Sequence, residues 1–239
     1  MQLAGKTALV TGGTDGIGLE IARQCKAKGA TVIVAARRAD LLDSARAEGL
    51  EAIAADLSTA AGCAALVASV AGRPIDLIVN NAGMHGNFGP GEPLDLAFTD
   101  RAIFLNLNAP MHLIGLMLDG LKARPEAMIV NVTSGLAIAP RGGGPVYCAT
   151  KAGLRSFTQA LRYNLRDTNV HVVEALPPVV ETALTAERGR GKMSAKECAR
   201  QIMIAIEGDY PEANVGQTKI LRAVYGISPA LARRIMLRF

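Results

Sequence analysis

The sequence predicts an α/β fold in which a parallel sheet is covered by helices on both faces. Half of the 239 residues are hydrophobic and 20% are charged, so the chain can bury a large core. Short β-branched runs alternate along the chain with longer segments of helical apolar spacing. Each run is continuously apolar, which is typical of strands that are buried on both sides.

The short runs are predicted to be strands and the longer segments helices. The strands are expected at residues 7–11, 31–36, 51–55, 76–80, 128–133 and 170–175. The helices are expected at residues 16–28, 39–48, 59–70, 98–121 and 147–166. Right-handed crossovers between such strands give a doubly wound sheet. Because no repeat or linker interrupts the pattern, we expect a single domain over residues 1–239.

Two further helices are indicated by the residues at their starts. Ser194 precedes Glu197 at the spacing of a capping box. Ser228 and Pro229 suit the N-cap and the first helical position. The stretch before the first of these helices is irregular, so we expect an exposed and mobile segment at residues 182–194.

The charge distribution bears on the class of partner. The net charge is +5, and the excess of bases lies in a C-terminal segment, residues 213–239, that contains no acid. Its bases are Lys219, Arg222, Arg233, Arg234 and Arg238. A basic balance can mark a nucleic-acid-binding protein. An excess confined to one segment is more typical of a solvated face, so no nucleic acid is expected.

Membrane and metal classes are disfavoured as well. The longest uncharged run, at residues 102–118, contains polar side chains and is shorter than the ~20 apolar residues of a membrane span. We therefore expect no membrane span and a cytoplasmic protein. The cysteines form no Cys-x-x-Cys pair and the histidines lie far apart, so neither a metal site nor a redox motif is expected. These residues are Cys25, Cys63, Cys148, Cys198, His85, His112 and His171.

The first predicted strand runs into a glycine-rich turn, TGGTDGIG, at residues 11–18. Its glycines follow a strand and open a helix, which is the placement of a dinucleotide site. Glycine allows the tight turn and the close approach of a pyrophosphate, and the helix N-terminus offers free N–H groups. The alternative is a plain turn with extra glycine. The candidate cofactor contacts here are Gly12, Thr14, Asp15, Gly16, Ile17 and Gly18.

The end of the second strand bears on the choice of cofactor. Sites for NAD usually place an acid there, whereas this strand ends in Arg37 and Arg38. A guanidinium suits a 2′-phosphate, so we predict NADP(H) rather than NAD(H). The alternative is that both arginines face solvent in the turn. Asp56 and Leu57, after the third strand, are candidates for contact with the adenine.

A reactive group of residues is predicted at the fifth strand and the helix that follows it. Tyr147 and Lys151 are four residues apart and share one helix face. A phenol titrates near ~10, and a nearby ammonium lowers that pKa by favouring the phenolate. Ser134 ends the fifth strand, at the sheet edge where ligands bind, and its hydroxyl can hold a substrate carbonyl.

These motifs resemble, in order and spacing, the short-chain dehydrogenase/reductase family, and the resemblance covers nearly the whole chain. Residues 80–83, NNAG, are similar to the family motif that steadies the sheet and lines the cofactor through Asn81, Ala82 and Gly83. Asn106 matches the asparagine of the family's catalytic tetrad. The resemblance implies a mostly parallel Rossmann-type sheet of about seven strands.

The resemblance also implies an activity. The chain would be an oxidoreductase that transfers hydride between a nicotinamide cofactor and a carbonyl or secondary alcohol. Tyr147 would be the general acid or base, Ser134 would orient the carbonyl, and Lys151 would hold the ribose and lower the tyrosine pKa. Asn106 would position a water that leads protons in from solvent. An arginine at the position of Arg37 marks NADP preference in this family.

The sequence departs from the family after the sixth strand. A Pro-Gly pair is usual there, but this chain has Pro177 and Pro178, and proline fixes φ and removes a donor. The cofactor-side turn is therefore expected to be stiffer. Val180 and Thr182 still match positions that contact the nicotinamide and the phosphate. The Pro-Pro form resembles a little-characterised bacterial sub-branch of oxidoreductases.

The loops after the strands supply the candidate substrate contacts. They are mostly apolar, which favours a small to medium, mainly apolar carbonyl or alcohol, and residues 182–194 would form a lid. The candidates are His85, Phe88, Leu136, Pro178, Val179 and Leu184.

Alternatives remain open for the function and for the tail. The chain could reduce 3-oxoacyl thioesters on a carrier protein or coenzyme A, or it could be a non-catalytic dinucleotide sensor or assembly subunit. A homodimer or homotetramer is expected from the resemblance. Segment 213–239 could pack on its own or a partner subunit, form a disordered end, or touch an anionic membrane surface.

Overall fold

Parallel strands form the centre of the molecule. The computed structural model describes residues 1–86, 93–185 and 191–238, apart from the side chain of Leu184. Its strands are β1 (Thr7–Thr11), β2 (Thr31–Ala36), β3 (Glu51–Ala54), β4 (Leu77–Asn80), β5 (Ala127–Val132), β6 (Val170–Leu176), β7 (Val180–Glu181), β8 (Met193–Ser194) and β9 (Glu212–Asn214). Seven of them make one sheet in the order β3-β2-β1-β4-β5-β6-β9, with every pair parallel. The predicted doubly wound fold is therefore confirmed.

Helices follow most of the strands and cover both faces of the sheet. They are α1 (Gly16–Ala27), α2 (Ala39–Ala47), α3 (Ala60–Ser69), α4 (Leu96–Ile103), α5 (Ala109–Lys122), α6 (Pro145–Asn164), α7 (Ala195–Gly208), α8 (Thr218–Ile227) and α9 (Pro229–Met236). Side chains of α1 and α7 join the core on one face, and side chains of α3 and α5 join the core on the other.

The strands read as continuous apolar runs because both faces are buried. In β1, Ala8 and Val10 belong to the core under α1 and α7, whereas Leu9 belongs to the opposite core. The same alternation places Val130 and Ile129 of β5 on opposite faces. Burying one such side chain fully contributes about 1.5–3 kcal/mol, so both layers stabilise the sheet.

The predicted long helix at residues 98–121 is one continuous helical stretch from Leu96 to Lys122 with an irregular centre. A π-helical turn, Phe104–Asn108, joins α4 to α5. The stretch is long and apolar enough, by length and composition alone, to cross a membrane, and it exceeds the run of residues 102–118 that the sequence indicated. Leu113 and Leu121 are buried against the sheet, so core packing accounts for part of its apolar character, whereas Leu96 and Leu116 are exposed.

The C-terminal third contains elements that the sequence pattern does not predict. Strand β9 joins the sheet beside β6, and α8 precedes the helix that Ser228 was predicted to start. The two predicted caps are confirmed, since Ser194 Oγ accepts a hydrogen bond from Glu197 N at 3.2 Å and Ser228 Oγ accepts one from Leu231 N at 3.3 Å.

The predicted mobile segment 182–194 is in part regular. Strand β8 within it pairs with β7, and a short 3₁₀ turn covers Ala183–Thr185. Residues 186–190 lie outside the described residues. Its mobility and its role as a lid stay predictions.

Candidate active site

The glycine-rich turn lies between β1 and α1, as the sequence predicts. Gly12 and Gly16 have φ angles of +62° and +53°, which L side chains rarely adopt. A Cβ at Gly18 would lie 2.2 Å from the Gly12 carbonyl oxygen, so only glycine lets α1 approach the turn this closely. Asn81 Nδ2 donates to the carbonyl oxygens of Thr11 and Gly12, both at 3.1 Å, which ties the turn to the end of β4.

A cleft of about 390 Å³ runs from this turn along the carboxyl edge of the sheet to α6. Most predicted cofactor contacts line it: Gly12, Thr14, Asp15, Gly16, Ile17, Arg37, Arg38, Leu57, Asn81, Ala82, Gly83, Tyr147, Lys151, Pro177 and Thr182. Eight further residues line the cleft that the sequence did not predict as cofactor contacts: Ala35, Ala36, Leu41, Ala55, Leu105, Val132, Thr133 and Ala183.

Three predicted contacts are placed elsewhere. Gly18 packs behind the turn, where its missing Cβ matters, and is not part of the cleft wall. Asp56 Oδ1 accepts hydrogen bonds from Ser58 N at 3.0 Å and Ser58 Oγ at 2.8 Å, so that carboxylate shapes the turn before α3. Val180 is buried in β7 and lines a second cavity instead.

The two arginines after β2 differ in their surroundings. Arg38 is exposed and pairs with Asp40, and its Nε lies 3.2 Å from Asp40 Oδ1. This pair lowers the pKa of the Asp40 carboxyl, chiefly through the hydrogen bond from Arg38. Arg37 lines the cleft and, within the described residues, has no ion pair. Its guanidinium can therefore meet an anionic ligand without first breaking a pair.

Tyr147 and Lys151 lie on the first two turns of α6, which Pro145 begins. Lys151 Nζ lies 5.7 Å from the centroid of the Tyr147 ring and donates a hydrogen bond to the Val132 carbonyl oxygen at 2.8 Å. The lysine is only 4% exposed, and this burial lowers its pKa to about 8. The charge of Lys151 therefore changes near neutral to mildly alkaline pH. Because the lysine is buried, solvent screens its electrostatic interaction with Tyr147 only weakly.

Ser134 lies two residues after the end of β5, at the sheet edge beside α6. Its Oγ accepts a hydrogen bond from Leu136 N at 3.1 Å, which caps the short 3₁₀ turn Gly135–Ala137. Ser134 and Tyr147 line the same cavity. The structure thus brings together two of the predicted catalytic hydroxyls.

Asn106 lies in the π-helical turn and is fully buried. Its Oδ1 accepts from Met84 N at 2.8 Å, while its Nδ2 donates to Met84 O at 2.9 Å and Thr150 Oγ1 at 3.2 Å. Asn106 lines neither the cleft nor the second cavity. Its side chain therefore holds the segment after NNAG against α6, next to Lys151.

The imidazole of His85 stacks on the Tyr147 ring. The ring centroids are 3.9 Å apart and the planes differ by 19°. His85 also lines the second cavity, as expected for a substrate-side residue. Its position in the sequence, shortly after NNAG, gives no hint of this contact.

The second cavity, of about 460 Å³, begins at Ser134 and Tyr147. Of the predicted substrate contacts, His85, Leu136, Pro178 and Val179 line it. Phe88 lies outside the described residues, and the side chain of Leu184 is not described. Much of the wall was not predicted, and it comes from α8, α9 and the residue before α8: Gln217, Thr218, Ile220, Leu221, Val224, Ala232, Ile235 and Met236.

This wall shows where much of segment 213–239 packs. Ala232 is fully buried, and Ile235 and Met236 face the second cavity of the same chain. Packing on the same chain is one of the alternatives that the sequence left open for this segment.

The cysteines are buried thiols. Cys25, Cys63, Cys148 and Cys198 are all free. Burial raises the pKa of Cys25 and of Cys198 to about 12, which makes both unreactive. Within the described residues, no group of three His, Cys, Asp or Glu side chains could hold a metal ion.

The glycine turn at the carboxyl edge of a doubly wound sheet, with a tyrosine and a lysine at the far end of the cleft, defines a dinucleotide-binding α/β protein. Comparison with protein families identifies it further. Residues 6–193 match the family model for short chain dehydrogenase. The chain belongs to the short chain dehydrogenase/reductase family of oxidoreductases, which confirms the resemblance seen in the sequence.

Two curated relatives illustrate the range of this family. The "Uncharacterized oxidoreductase DltE" of Bacillus subtilis is 39% identical over 197 residues, which are 80% of this chain and 78% of that protein. The "Ketoacyl reductase HetN" of a Nostoc species is 33% identical over 258 aligned positions, which cover 98% of this chain and 88% of that protein.

A solved structure shows how far the fold is shared. A short chain dehydrogenase from Burkholderia cenocepacia, in complex with NADP, superposes with a TM-score of 0.89 over 99% of each chain. The two sequences are 21% identical, so this likeness concerns the fold alone.

Proposed function

We propose that this protein is an NADP(H)-dependent oxidoreductase that interconverts a mainly apolar carbonyl compound and its secondary alcohol. The observation that carries the proposal is the position of Tyr147. This side chain lines both the cofactor-type cleft and the second cavity. It is therefore the point at which a bound dinucleotide and a bound substrate would meet.

The cleft fits a nicotinamide dinucleotide. The glycine turn leaves open a space that a side chain at Gly16 would occupy, because a Cβ there would lie 2.7 Å from Thr182 Cγ2. The N–H groups at the start of α1 can bind the pyrophosphate, and Arg37 can bind a 2′-phosphate. Solved chains of this fold hold either NADP or NAD, so the preference for NADP(H) rests on Arg37. When bound, the nicotinamide supplies or accepts the hydride.

The proposed proton donor in the reductive direction is the Tyr147 hydroxyl, with Ser134 holding the same substrate oxygen. Below pH about 8 Lys151 is charged, and an ammonium near the ring favours the phenolate over the phenol. That effect lowers the cost of moving the proton to the substrate. Asn106 acts on this group by positioning α6 through Thr150.

The second cavity supports the substrate class. The part of its wall that α8 and α9 form consists mainly of aliphatic side chains, including Leu221, Val224 and Ile235. An apolar substrate would remove these side chains from water at no cost in polar desolvation. Segment 182–194 is the proposed lid, since its described residue Thr182 lines both cavities.

The test is NADPH consumption by the purified protein with a panel of ketones of increasing apolar length. Tyr147→Phe is expected to lower turnover by about 10²–10⁴-fold, the usual contribution of a general acid, while NADPH binding is retained. If Tyr147→Phe keeps the original turnover, Tyr147 is not the proton donor. Cofactor binding without turnover of any ketone would favour a non-catalytic dinucleotide sensor or assembly subunit.

A second candidate, reduction of 3-oxoacyl thioesters, is favoured by one observation. The ketoacyl reductase relative aligns with 98% of this chain. The two candidates separate in a direct comparison of acetoacetyl-coenzyme A with a ketone of matched apolar length. A higher kcat/KM for the thioester would favour the second candidate, and equal or lower values would favour the first.

We also propose a homodimer or homotetramer in the cytoplasm. Large apolar side chains are exposed on the helices around the sheet, among them Leu96 and Leu116 on α4–α5 and Tyr163 on α6. Four free cysteines suit a reducing compartment. Light scattering of the purified protein measures the assembly state, and a monomeric mass would contradict the first part of this proposal.

A further inference from the structure

The last two helices expose an unusual amount of apolar surface. We call residues 218–238, which contain α8 and α9, the C-terminal hairpin. Ile220 and Ile227 are 67% and 87% exposed on α8, and Leu231 and Leu237 are 50% and 55% exposed on or after α9. Several large apolar side chains exposed on one short helical hairpin are typical of an interaction site in a soluble protein.

Five bases alternate with these apolar side chains along the hairpin. Arg222 lies 3.7 Å from Glu212, and Arg233 donates to the Tyr225 hydroxyl at 3.4 Å. Three further bases of the hairpin have no ion pair within the described part of the chain: Lys219, Arg234 and Arg238. The hairpin contains no acid that could neutralise them.

The second cavity opens at the same surface. Ile220 and Ile235 line the cavity although they are 67% and 41% exposed, so they stand at its mouth. Val179, from the loop after β6, also lines the cavity and is 47% exposed. The apolar interior and the exposed apolar surface of the hairpin are therefore continuous.

We propose that the C-terminal hairpin binds the surface of an anionic lipid bilayer. Its exposed isoleucines and leucines enter the acyl boundary, and its bases contact the headgroups, as in interfacial amphipathic helices. The cavity mouth then faces the lipid, so an apolar substrate can pass between bilayer and active site. This last step rests on the proposed function, whereas the lipid binding does not.

The charge of the hairpin favours this occupant over a second copy of the chain. A twofold contact through the hairpin would place its bases against the same bases of the other copy, with no acid between them. An acidic carrier protein could neutralise the bases, but it would have to cover Ile227 and Leu231 as well. Binding to such a protein is an outcome of the test.

The test is co-sedimentation of the full chain with vesicles of phosphatidylcholine alone or mixed with phosphatidylglycerol. We expect binding to the mixed vesicles only. Arg234→Glu with Arg238→Glu should lower the partition coefficient by about 30-fold or more, since each base near an anionic surface accounts for about fivefold. The matched control is Lys122→Glu with Lys196→Glu, which changes the charge equally at exposed positions on α5 and α7 and should bind as the unchanged chain does.

A second variant tests the apolar part separately. Ile227→Ser with Leu231→Ser keeps every charge and should abolish the binding that persists at high salt. The proposal is overturned if the unchanged chain ignores the mixed vesicles, or if both charge variants lose binding equally. It is also overturned if an acidic acyl carrier protein binds to the hairpin and the vesicles do not. Turnover of a water-soluble ketone without vesicles reports on the proposed function alone, so the two proposals can fail independently.

Discussion

Arg37 offers the sharpest test of cofactor choice, because a neighbouring arginine serves as its control. Arg37→Ser removes the guanidinium that lines the cleft next to the end of β2. Two charges 4 Å apart interact by ~1 kcal/mol in water and by ~4 kcal/mol near a protein surface. Arg37 is exposed, so we take an intermediate loss of about 1.5–3 kcal/mol in NADPH binding.

That loss corresponds to a roughly 10- to 150-fold higher dissociation constant for NADPH. NADH has no 2′-phosphate, so its affinity should stay the same within about twofold. Arg38→Ser should have little effect on either cofactor, because Arg38 is already paired with Asp40. Equilibrium titration that follows nicotinamide fluorescence measures all three proteins. Salt should reduce the difference between the two cofactors, as expected for an exposed ionic contact.

Three results would refute this reasoning. An equal loss of NADPH and NADH affinity in Arg37→Ser would mean that the side chain shapes the cleft and does not recognise phosphate. A larger loss in Arg38→Ser would move the phosphate site to Arg38 and would require the pair with Asp40 to open. Unchanged binding in both variants would leave the arginines as solvent-facing turn residues and would remove the basis for NADP preference.

Three further predictions concern packing and charge in the site. Gly18→Ala should lower the free energy of unfolding by about 1–3 kcal/mol through overpacking, whereas Gly115→Ala in α5, where a Cβ meets nothing within 4 Å, should raise it by up to ~1 kcal/mol; thermal denaturation of both variants is the measurement. Burial lowers the pKa of Lys151 from 10.5 to about 8, so between these pH values the unfolded chain binds more protons at this lysine than the folded chain does. The free energy of unfolding should therefore rise by about 3 kcal/mol as the pH passes through this range, and denaturant unfolding of Lys151→Met should lack the rise. An identical pH profile in the two proteins would contradict this prediction. His85→Ala should lower turnover by about 2- to 12-fold through loss of the stack on Tyr147, with His85→Phe near the original rate, and equal rates in all three proteins would show that the stack is not used.

The parts of the fold and site that the sequence predicts are those with a local cause. The glycine turn is recognisable because Gly12 and Gly16 must adopt positive φ within a few residues of a strand end. Tyr147 and Lys151 share a face of α6 simply through their spacing. Ser194 and Ser228 cap helices by hydrogen bonds that span three residues. In each case, all the residues that produce the feature lie within one short stretch of chain.

The parts that the sequence does not predict depend on distant contacts. Strand β9 has three residues, of which only Ala213 is buried, so the sequence shows no apolar alternation that would predict a strand there. It forms because the edge of β6 is available and because Arg155 joins Glu174 of β6 to Glu212 of β9, at 2.8 and 3.1 Å. The stack of His85 on Tyr147 likewise joins a residue of the loop after β4 to a residue of α6, 62 positions further along the chain.

The two cavities that meet at Tyr147 also differ in how much of their structure can be predicted from short stretches of sequence. The cleft is built largely from turns whose backbone must be free of side chains, and that requirement leaves a motif in the sequence. The second cavity is built largely from aliphatic side chains of α8 and α9, such as Val224 and Ile235, and many combinations of apolar residues would form it. Under the proposed function, the residues that bind the cofactor form local sequence patterns, whereas the residues that select the substrate lie on α8 and α9, which can change without altering Tyr147 or Lys151. The same freedom lets the outer faces of these helices acquire bases and exposed apolar residues without disturbing the reaction centre.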